Sequence, residues 1–327
     1  MDLTRIGTLA ILLILLSGSV FAQDAKPDLA ELWETGSLWE VGDNRELVKD
    51  ARQELIDAGE DGLKFALTKL DAGDTLHIRC LRAVFKGFGA SAYEGLVENI
   101  TNENATARRN VAELLAQLDD PRAAEPLLEQ CRVEESLGTR LAQLASLAKW
   151  KVEDAIPLLV EISQSEVDRI RHRATSLLGE YEQQAAVTRL IEMLDDAVFY
   201  VRDGARDALK QGTPDTRSVC LARLLEHLAL PGAEQNLQRI RLLLPIVASL
   251  ADDGVPAVLE LALKHESGLV RGDAASALVT WKQGAGLLNE QVDVIELLNS
   301  AIDAEYDPYA KSAIETARNK LTKPDTK

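Results

Sequence analysis

The fold is decided by residues 109–129, which read RNVAELLAQLDDPRAAEPLLE. In the first half, an arginine is followed by apolar residues three, six and seven positions later, which lie on one face of a helix. In the second half, the turn 119–121 leads into another apolar segment that contains Pro126. Proline is tolerated in the first turn of a helix, so a second helix begins near Ala124. The stretch therefore predicts two short helices joined by a turn.

The same pattern recurs along the chain at a nearly constant interval. The intervals are 30, 31, 31 and 31 residues between five arginines: Arg79, Arg109, Arg140, Arg171 and Arg202. A fixed period of this length is typical of repeat proteins, in which each unit buries its apolar face only by stacking on its neighbours. In each repeat the helix that carries the arginine is helix B, and the helix that precedes it is helix A.

Weaker copies of helix B extend the pattern in both directions. They contain Val48 to Ala51, Arg239 or Arg241, Arg271, and Ala310 to Ala313. The total is nine B helices, with intervals of 37 and 39 residues where the period slips. We expect longer loops or longer helices at these two places, around residues 230–232 and 284–290.

Residues 109–129 resemble the HEAT-like repeat of the phycobilisome-lyase type. The resemblance extends over roughly residues 45–320. It implies an all-α fold, an α-solenoid of about eight to nine stacked two-helix HEAT-like repeats with a period of about 31 residues. Ankyrin and tetratricopeptide repeats have similar periods, but the sequence lacks their Thr-Pro-Leu-His and Trp-Leu-Gly-Tyr signatures.

The N-terminal residues indicate a segment that precedes the repeats. Arg5 is followed by an apolar run from Ile6 to Leu16 and by small residues that end at Ala22. The run is short for a membrane span, so we predict a signal peptide over residues 1–22, with cleavage after Ala22. An uncleaved anchor is the alternative. With a signal peptide, and with no later segment apolar enough to span a bilayer, the protein is expected to be periplasmic or secreted.

Two further segments flank the repeats. Residues 23–44 are acidic and contain Trp33 and Trp39. The first repeat of a solenoid exposes an apolar face that needs a cover, so we predict a capping helix whose tryptophans cover that face. The solenoid then occupies residues 45–320, and residues 321–327 form a frayed tail.

The charge of the chain limits its partners. It has 53 acidic and 36 basic residues, and its net charge is −17. Nucleic acids and anionic lipids both require a positive protein surface, so we expect neither as a partner. A basic protein partner is compatible with this charge.

The residues that could carry chemistry form no recognisable constellation. The three cysteines form no disulfide framework and are expected in the core: Cys80, Cys131 and Cys220. The four histidines fall in distant repeats: His77, His172, His227 and His265. We therefore predict no catalytic residue, no metal site, no cofactor and no small-molecule site. The resemblance includes the phycobilin lyases and the di-iron enzyme deoxyhypusine hydroxylase, but the single pair His265-Glu266 cannot supply a di-iron site.

Two sets of recurring residues have alternative interpretations. The five arginines either link neighbouring repeats through acidic turn residues such as Asp168 and Asp196, or form a basic stripe that binds an acidic peptide. Three aromatic residues lie ten positions after an arginine: Trp150, Tyr181 and Trp281. They either seal the ends of adjacent repeats or form an aromatic line on a ligand surface.

The sequence favours an exported, non-catalytic protein-interaction scaffold. Its B helices would line a concave groove that holds a protein or peptide partner. An enzyme or enzyme subunit of the HEAT-like lyase or hydroxylase type is the alternative, and a structural spacer is the third hypothesis.

Overall fold

The computed structural model describes residues 28–232, 235–250, 254–284 and 292–322, and within these ranges the protein is helical and contains no strand. The predicted signal peptide, residues 1–22, lies outside them. The predicted tail begins inside the last helix, which continues to Thr322. None of the helices in these ranges is long and apolar enough to span a bilayer.

The chain divides into two compact units, Met1–Leu118 and Asp119–Lys327. The helices of the first unit are α1 (Leu29–Gly36), α2 (Asn44–Asp57), α3 (Gly59–Leu67), α4 (Thr75–Phe88), α5 (Tyr93–Glu98) and α6 (Ala105–Leu118). The helices of the second unit are α7 (Ala124–Val133), α8 (Leu137–Lys149), α9 (Ile156–Ile162), α10 (Asp168–Leu178), α11 (Gln184–Met193), α12 (Phe199–Gln211), α13 (Pro214–Ala229), α14 (Leu237–Val247), α15 (Val255–Leu263), α16 (Gly268–Gly284), α17 (Val294–Ala304) and α18 (Pro308–Thr322).

The helices alternate between the A and B positions, which confirms the predicted all-α, two-helix repeat. Within the described ranges the B helices are α2, α4, α6, α8, α10, α12, α14, α16 and α18. In the second unit each B helix packs against the next B helix along the chain. The interval of 37 residues separates Arg202 from Arg239. It arises because the A helix between them, α13, has 16 residues, whereas the A helix of the preceding repeat, α11, has 10.

Small residues allow neighbouring B helices to approach closely. Ala174 of α10 and Ala205 of α12, each three positions after the arginine, are fully buried. Between the same helices, a Cβ atom added to Gly204 would lie 2.6 Å from the hydroxyl oxygen of Thr175. A larger side chain at Gly204 would force these helices apart, and interiors packed to this density have little room to adjust.

A helix, α1, precedes the first repeat, and one of the two tryptophans of this segment packs against the repeat. Trp33 of α1 is 2% exposed and packs edge-on against Phe65 and flat against His77. Trp39 lies beyond the end of α1 and is 55% exposed. Its ring lies 5.3 Å from the guanidinium carbon of Arg79 rather than against the apolar face.

The three cysteines are buried and unpaired, as predicted. Burial raises the pKa of all three thiols, to about 11 for Cys131 and about 12 for Cys220. The thiolate is the reactive form of cysteine, so these side chains act as small apolar residues of the core.

An arginine at the fourth position of a B helix closes the turn that precedes the helix. In α10, Nη1 of Arg171 donates to the carbonyl oxygens of Ser165 (2.9 Å) and Glu166 (3.2 Å), six and five residues earlier. The arginines that make the same pair of bonds to the carbonyls six and five residues earlier are Arg108 in α6, Arg202 in α12 and Arg271 in α16. Carbonyls at the C-terminal end of a helix lack partners within it, and the guanidinium supplies the missing donors.

Two of these arginines also bind the next turn. Nε and Nη2 of Arg171 donate to the two oxygens of Asp196 at 2.7 and 2.9 Å, and Asp196 accepts from the backbone N–H of Val198. Arg271 and Glu305 repeat this geometry at 2.6 Å for both bonds, and Glu305 accepts from the N–H of Asp307. The guanidinium holds the pKa of each carboxyl below its usual range. We call this arrangement the turn clamp.

The five predicted arginines are not equivalent. Arg171 and Arg202 bind turn carbonyls, and Arg140 joins its repeat to the next through two bonds to Glu161 of α9, at 2.9 and 3.0 Å. Arg109 is not at the equivalent position: Arg108 makes the turn contacts, whereas Arg109 is exposed and pairs with Glu113 of its own helix. Arg79 is also one residue late in its helix, and it contacts the capping segment at Glu40.

The turn clamp predicts a large loss of stability when its arginine is removed. In the pair Arg271–Glu305 the two side chains are 8% and 2% exposed. The Arg271→Met substitution leaves the Glu305 carboxylate buried without its partner, so we expect the free energy of unfolding to fall by about 3 kcal/mol. Urea denaturation measures this loss.

The matched control is Arg109→Met, which removes an exposed arginine outside the turn clamp and should cost less than about 0.5 kcal/mol. Adding Glu305→Leu to Arg271→Met should recover part of the loss, because no buried charge then remains unpaired. Equal effects of the two single substitutions would contradict the assignment of the clamp.

His265 predicts a pH dependence of stability. Its Nδ1 accepts from the N–H of Ser267, and its Nε2 donates to the side-chain oxygen of Gln235. Burial lowers the pKa of His265 below its ordinary value of 6.5, while Glu266 has a smaller opposing effect and Arg271 a smaller effect in the same direction as burial. The unfolded chain therefore takes up this proton more readily, and stability should fall as the pH drops from 7 through 6.5.

Chemical unfolding at pH 7.5 and at pH 5.5 measures the difference. Glutamine does not titrate, so we expect His265→Gln to reduce the pH dependence of the free energy of unfolding. Burial also lowers the pKa of His227, which accounts for part of the pH dependence that remains in this variant. An unchanged pH dependence in this variant would show that His265 is not one of the groups responsible.

A candidate binding surface on the turns of the second unit

Exposed apolar side chains recur at the start of every B helix in the second unit. Each lies within the first two residues of its helix or, for Val167, directly before it. Their exposed fractions are between 41% and 65%, and we call them the turn row: Leu137, Val167, Phe199, Leu237, Leu269 and Tyr309. Single exposed apolar residues are ordinary, but one at the start of each of six consecutive B helices forms a surface feature.

The packing of the helices aligns the turn row. Because each B helix packs against the next, the first residues of these helices follow one another along one edge of the unit. Packed helices lie about 8–10 Å apart, so neighbouring members of the row are close enough to contact one partner. Val133 and Tyr306, which are 69% and 82% exposed, lie in the same turns as Leu137 and Tyr309 and enlarge the apolar surface.

Beneath Val167 and Phe199, two adjacent aspartates join three turns. Asp196 binds Arg171, as described above, and Asp195 pairs with Arg239 at the start of α14. Arg239 in turn contacts Nε2 of His227 at 3.0 Å. These ion pairs are partly buried, so they restrict the turns that carry the apolar side chains. A surface that is ordered before binding loses less conformational entropy when a partner docks.

The outward face of the B helices is polar rather than apolar. On α10 it exposes Arg169 and Arg173, and on α12 it exposes Asp207. Arg206 of α12 is paired with both Asp203 and Asp207 on the same face. The predicted groove along the B helices therefore offers charges of both signs, and the exposed apolar side chains lie at the turns instead.

The histidines do not converge. His77 is in the first unit, beside Asp74 and Glu34. In the second unit His172 lies against the ring of Tyr200, His227 contacts Arg239, and His265 holds the turn before α16. Among the described residues no three histidine, cysteine, aspartate or glutamate side chains are arranged to hold a metal ion.

The three recurring aromatic residues seal the repeats. Tyr181 and Trp281 are 3% and 1% exposed, and Trp150 is only partly exposed. The hydroxyl of Tyr181 donates to the carbonyl of Val152 in the preceding repeat at 3.1 Å, and burial raises the pKa of this hydroxyl. Because these side chains are largely covered, they do not form an aromatic line on a ligand surface.

The turn row was missed by sequence reasoning although it leaves a weak signal. Leu137 and Phe199 each lie three residues before the recurring arginine of their helix. Val167 lies four residues before Arg171, and Leu269 lies two residues before Arg271. A search at fixed spacing from the arginine therefore finds only part of the row. What the residues share is proximity to a helix start, and the helix starts depend on local capping that the spacing of the arginines does not reveal.

Two family models match the middle of the chain. The model described as HEAT repeats matches residues 125–210, and the model described as PBS lyase HEAT-like repeat matches residues 107–131. A curated relative, phycocyanobilin lyase subunit alpha of Picosynechococcus sp., is 23% identical over 193 residues, which are 55% of this chain and 72% of the relative.

Several solved structures are similar to the chain at low identity. YibA of E. coli has a TM-score of 0.44 and 18% identity, with 88% of this chain and 99% of that chain covered. An engineered protein has a TM-score of 0.42 and 16% identity, with 93% and 97% covered. Human deoxyhypusine hydroxylase in complex with glycerol has a TM-score of 0.30 and 18% identity, with 79% and 95% covered. The helical hairpins and the matched segments together show that the chain contains HEAT repeats, of which residues 107–131 match the PBS lyase HEAT-like type.

Proposed function

We propose that this protein is a non-catalytic scaffold that binds a protein partner through the turn row. HEAT repeats commonly mediate protein interactions, which supports the proposal at the level of the family. The observation that carries it is the recurrence of an exposed apolar side chain at the start of six consecutive B helices. Contiguous exposed apolar surface on a soluble protein typically marks an interaction site.

The turn row has the features of a binding surface rather than of a structural edge. Phe199 packs edge-on against Tyr200, with ring centroids 5.6 Å apart, so the exposed ring is held in place. Aromatic anchors that are fixed before binding supply much of the energy of protein interfaces. Asp196 and Asp195 lie three and four residues before Phe199 and form ion pairs with Arg171 and Arg239, so polar contacts hold the turn that leads to this ring.

The second candidate is an enzyme subunit of lyase type, which the similarity to phycocyanobilin lyase subunit alpha favours. Such a subunit would need titratable side chains that converge on one cleft. In this chain the lowered pKa values of His227 and His265 arise from burial, and both rings are engaged by neighbouring side chains. We therefore rank the scaffold role above the enzyme role.

Site-specific photocrosslinking tests the scaffold role. A benzophenone amino acid placed at Val167 or at Phe199 should crosslink to the same partner in extracts of the native host, because these residues belong to adjacent turns. The matched control position is Ser176, which is exposed on the outward face of α10. We expect the yield at Val167 to fall by roughly tenfold or more with Phe199→Asp, as expected for loss of an interface anchor, and to be unchanged by Ser176→Asp. Equal yields at all three positions, or unrelated adducts at Val167 and Phe199, would rule out a shared docking surface.

We also propose that the scaffold acts outside the cytoplasm, on the basis of the apolar run from Ile6 to Leu16 and the small residues that follow it. Intact mass spectrometry of the protein from the native host should find an N-terminus at Gln23 in the exported fraction. Leu13→Arg, which interrupts the apolar run, should retain an uncleaved chain in the cytoplasm. A full-length chain in the cytoplasm of the unaltered strain would refute export.

A further inference from the structure

Among the residues that the structure describes, a groove lies between the A helices α15 and α17. Two cavities of ≈ 470 and ≈ 500 Å³ lie along it, and both are lined by Glu260, Leu297 and Ser300. Because the cavities share these side chains, they form one continuous groove. Three pairs of A helices in this unit pack directly on one another, namely α9 with α11, α11 with α13 and α13 with α15. The groove follows the last of these pairs along the chain.

The floor of the groove is apolar and made largely of small side chains. Leu297, Ala301 and Ala304 lie four and three residues apart on one face of α17. Leu263 and Pro256 line the opposite side from α15. Small residues on a helix face allow another helix to approach closely, while Leu297 and Leu263 supply apolar contact area.

The walls of the groove are acidic. Glu260 is paired with Lys264 at 2.7 Å, but Glu266, Asp293 and Glu296 form no ion pair with any residue in the described ranges. Arg271 lies at one end of the groove, where Glu305 already neutralises it. A partner that enters the groove therefore meets an excess of negative charge.

The shape and the charge together select one class of occupant. A groove that runs between two helices, with apolar positions at helical spacing, is complementary to an amphipathic helix laid along it. Unpaired carboxylates on its walls favour lysine or arginine at the edges of that helix. A second copy of this chain is disfavoured, because each copy carries a net charge of −17.

We propose that the groove between α15 and α17 docks a basic amphipathic helix of a partner protein. The proposal rests on the scaffold role, but it assigns the partner's chemistry to a groove that meets the apolar surface of the turns only at Tyr306. The scaffold would then contact partners through two surfaces, an apolar one at the turns and an acidic one between A helices.

A model peptide tests the proposal directly. The probe is a fluorescein-labelled peptide of 18 residues made of leucine and lysine, with leucine at helical spacing, and fluorescence anisotropy of the full chain at about 0.15 M salt measures its binding. We expect Glu266→Lys with Glu296→Lys to weaken binding by roughly tenfold or more. The matched control is Glu125→Lys with Glu129→Lys, the same charge change on exposed residues of α7, which should weaken binding by less than about twofold.

A steric variant separates specific docking from general attraction and from misfolding. Ser300→Trp places a bulky side chain in the groove from an exposed position, leaves the net charge unchanged, and should also reduce binding by roughly tenfold. Circular dichroism and thermal unfolding check that each variant is folded. A scrambled leucine–lysine peptide without an apolar face should bind at least about tenfold more weakly than the amphipathic one.

Three results would overturn the proposal: no binding of the amphipathic peptide, equal loss in the groove and control charge variants, or full binding to Ser300→Trp. Phe199→Asp, in the turn row, should leave peptide binding unchanged. If the peptide fails to bind while crosslinking at Val167 and Phe199 succeeds, the groove assignment fails and the scaffold role stands.

Discussion

The second unit of the chain depends on one interaction, the fork of hydrogen bonds that an arginine makes between two turns. Arg171 and Arg271 each bind the carbonyls of the turn before their own helix and a carboxylate of the next turn. A repeat protein has few long-range contacts other than those between neighbours, so its order depends on how well each repeat is fixed to the next. Bidentate arginine–carboxylate pairs fix direction as well as distance, which a purely apolar contact does not. The clamp therefore fixes the turns before α10, α12, α16 and α18, which carry four of the six members of the turn row.

The fold could be predicted from the sequence because the period of a repeat is itself structural information. Apolar residues spaced around Ala112, Ala174 and Ala205 predicted a buried helix face, and these alanines are fully buried. The prediction was wrong at single-residue precision, where Arg108 rather than Arg109 binds the turn carbonyls. A slip of one residue turns a side chain by about 100° around a helix. Periodicity over 31 residues does not resolve such a slip when two arginines are adjacent.

The candidate surfaces were much less predictable. Sequence reasoning placed the partner on the B helices and read the arginines as its possible contacts, whereas the exposed apolar residues lie at the turns. Whether Leu137 or Phe199 is exposed depends on where its helix begins and on what its neighbours cover, and neither follows from the identity of the residue.

The groove between α15 and α17 could not be predicted from the sequence either. A helix face that lines a groove has the same spacing of apolar residues as a helix face that is buried in the core. The sequence therefore does not distinguish the floor of the groove from the core. Trp39 shows the reverse error, since a large aromatic residue expected to cover the first repeat remains exposed.

Together these features describe a helical repeat protein whose turns are fixed by buried polar contacts, and the binding surfaces that we propose lie at the turns and between two A helices. Amide hydrogen exchange of the intact chain tests this account most directly. The N–H groups of Val198 and Asp307, which donate to Asp196 and Glu305, should exchange slowly, and Arg171→Met should speed exchange at Val198 while leaving Asp307 unchanged. Rapid exchange at both amides in the unaltered protein, or no local effect of Arg171→Met, would contradict the claim that arginine forks fix the turns.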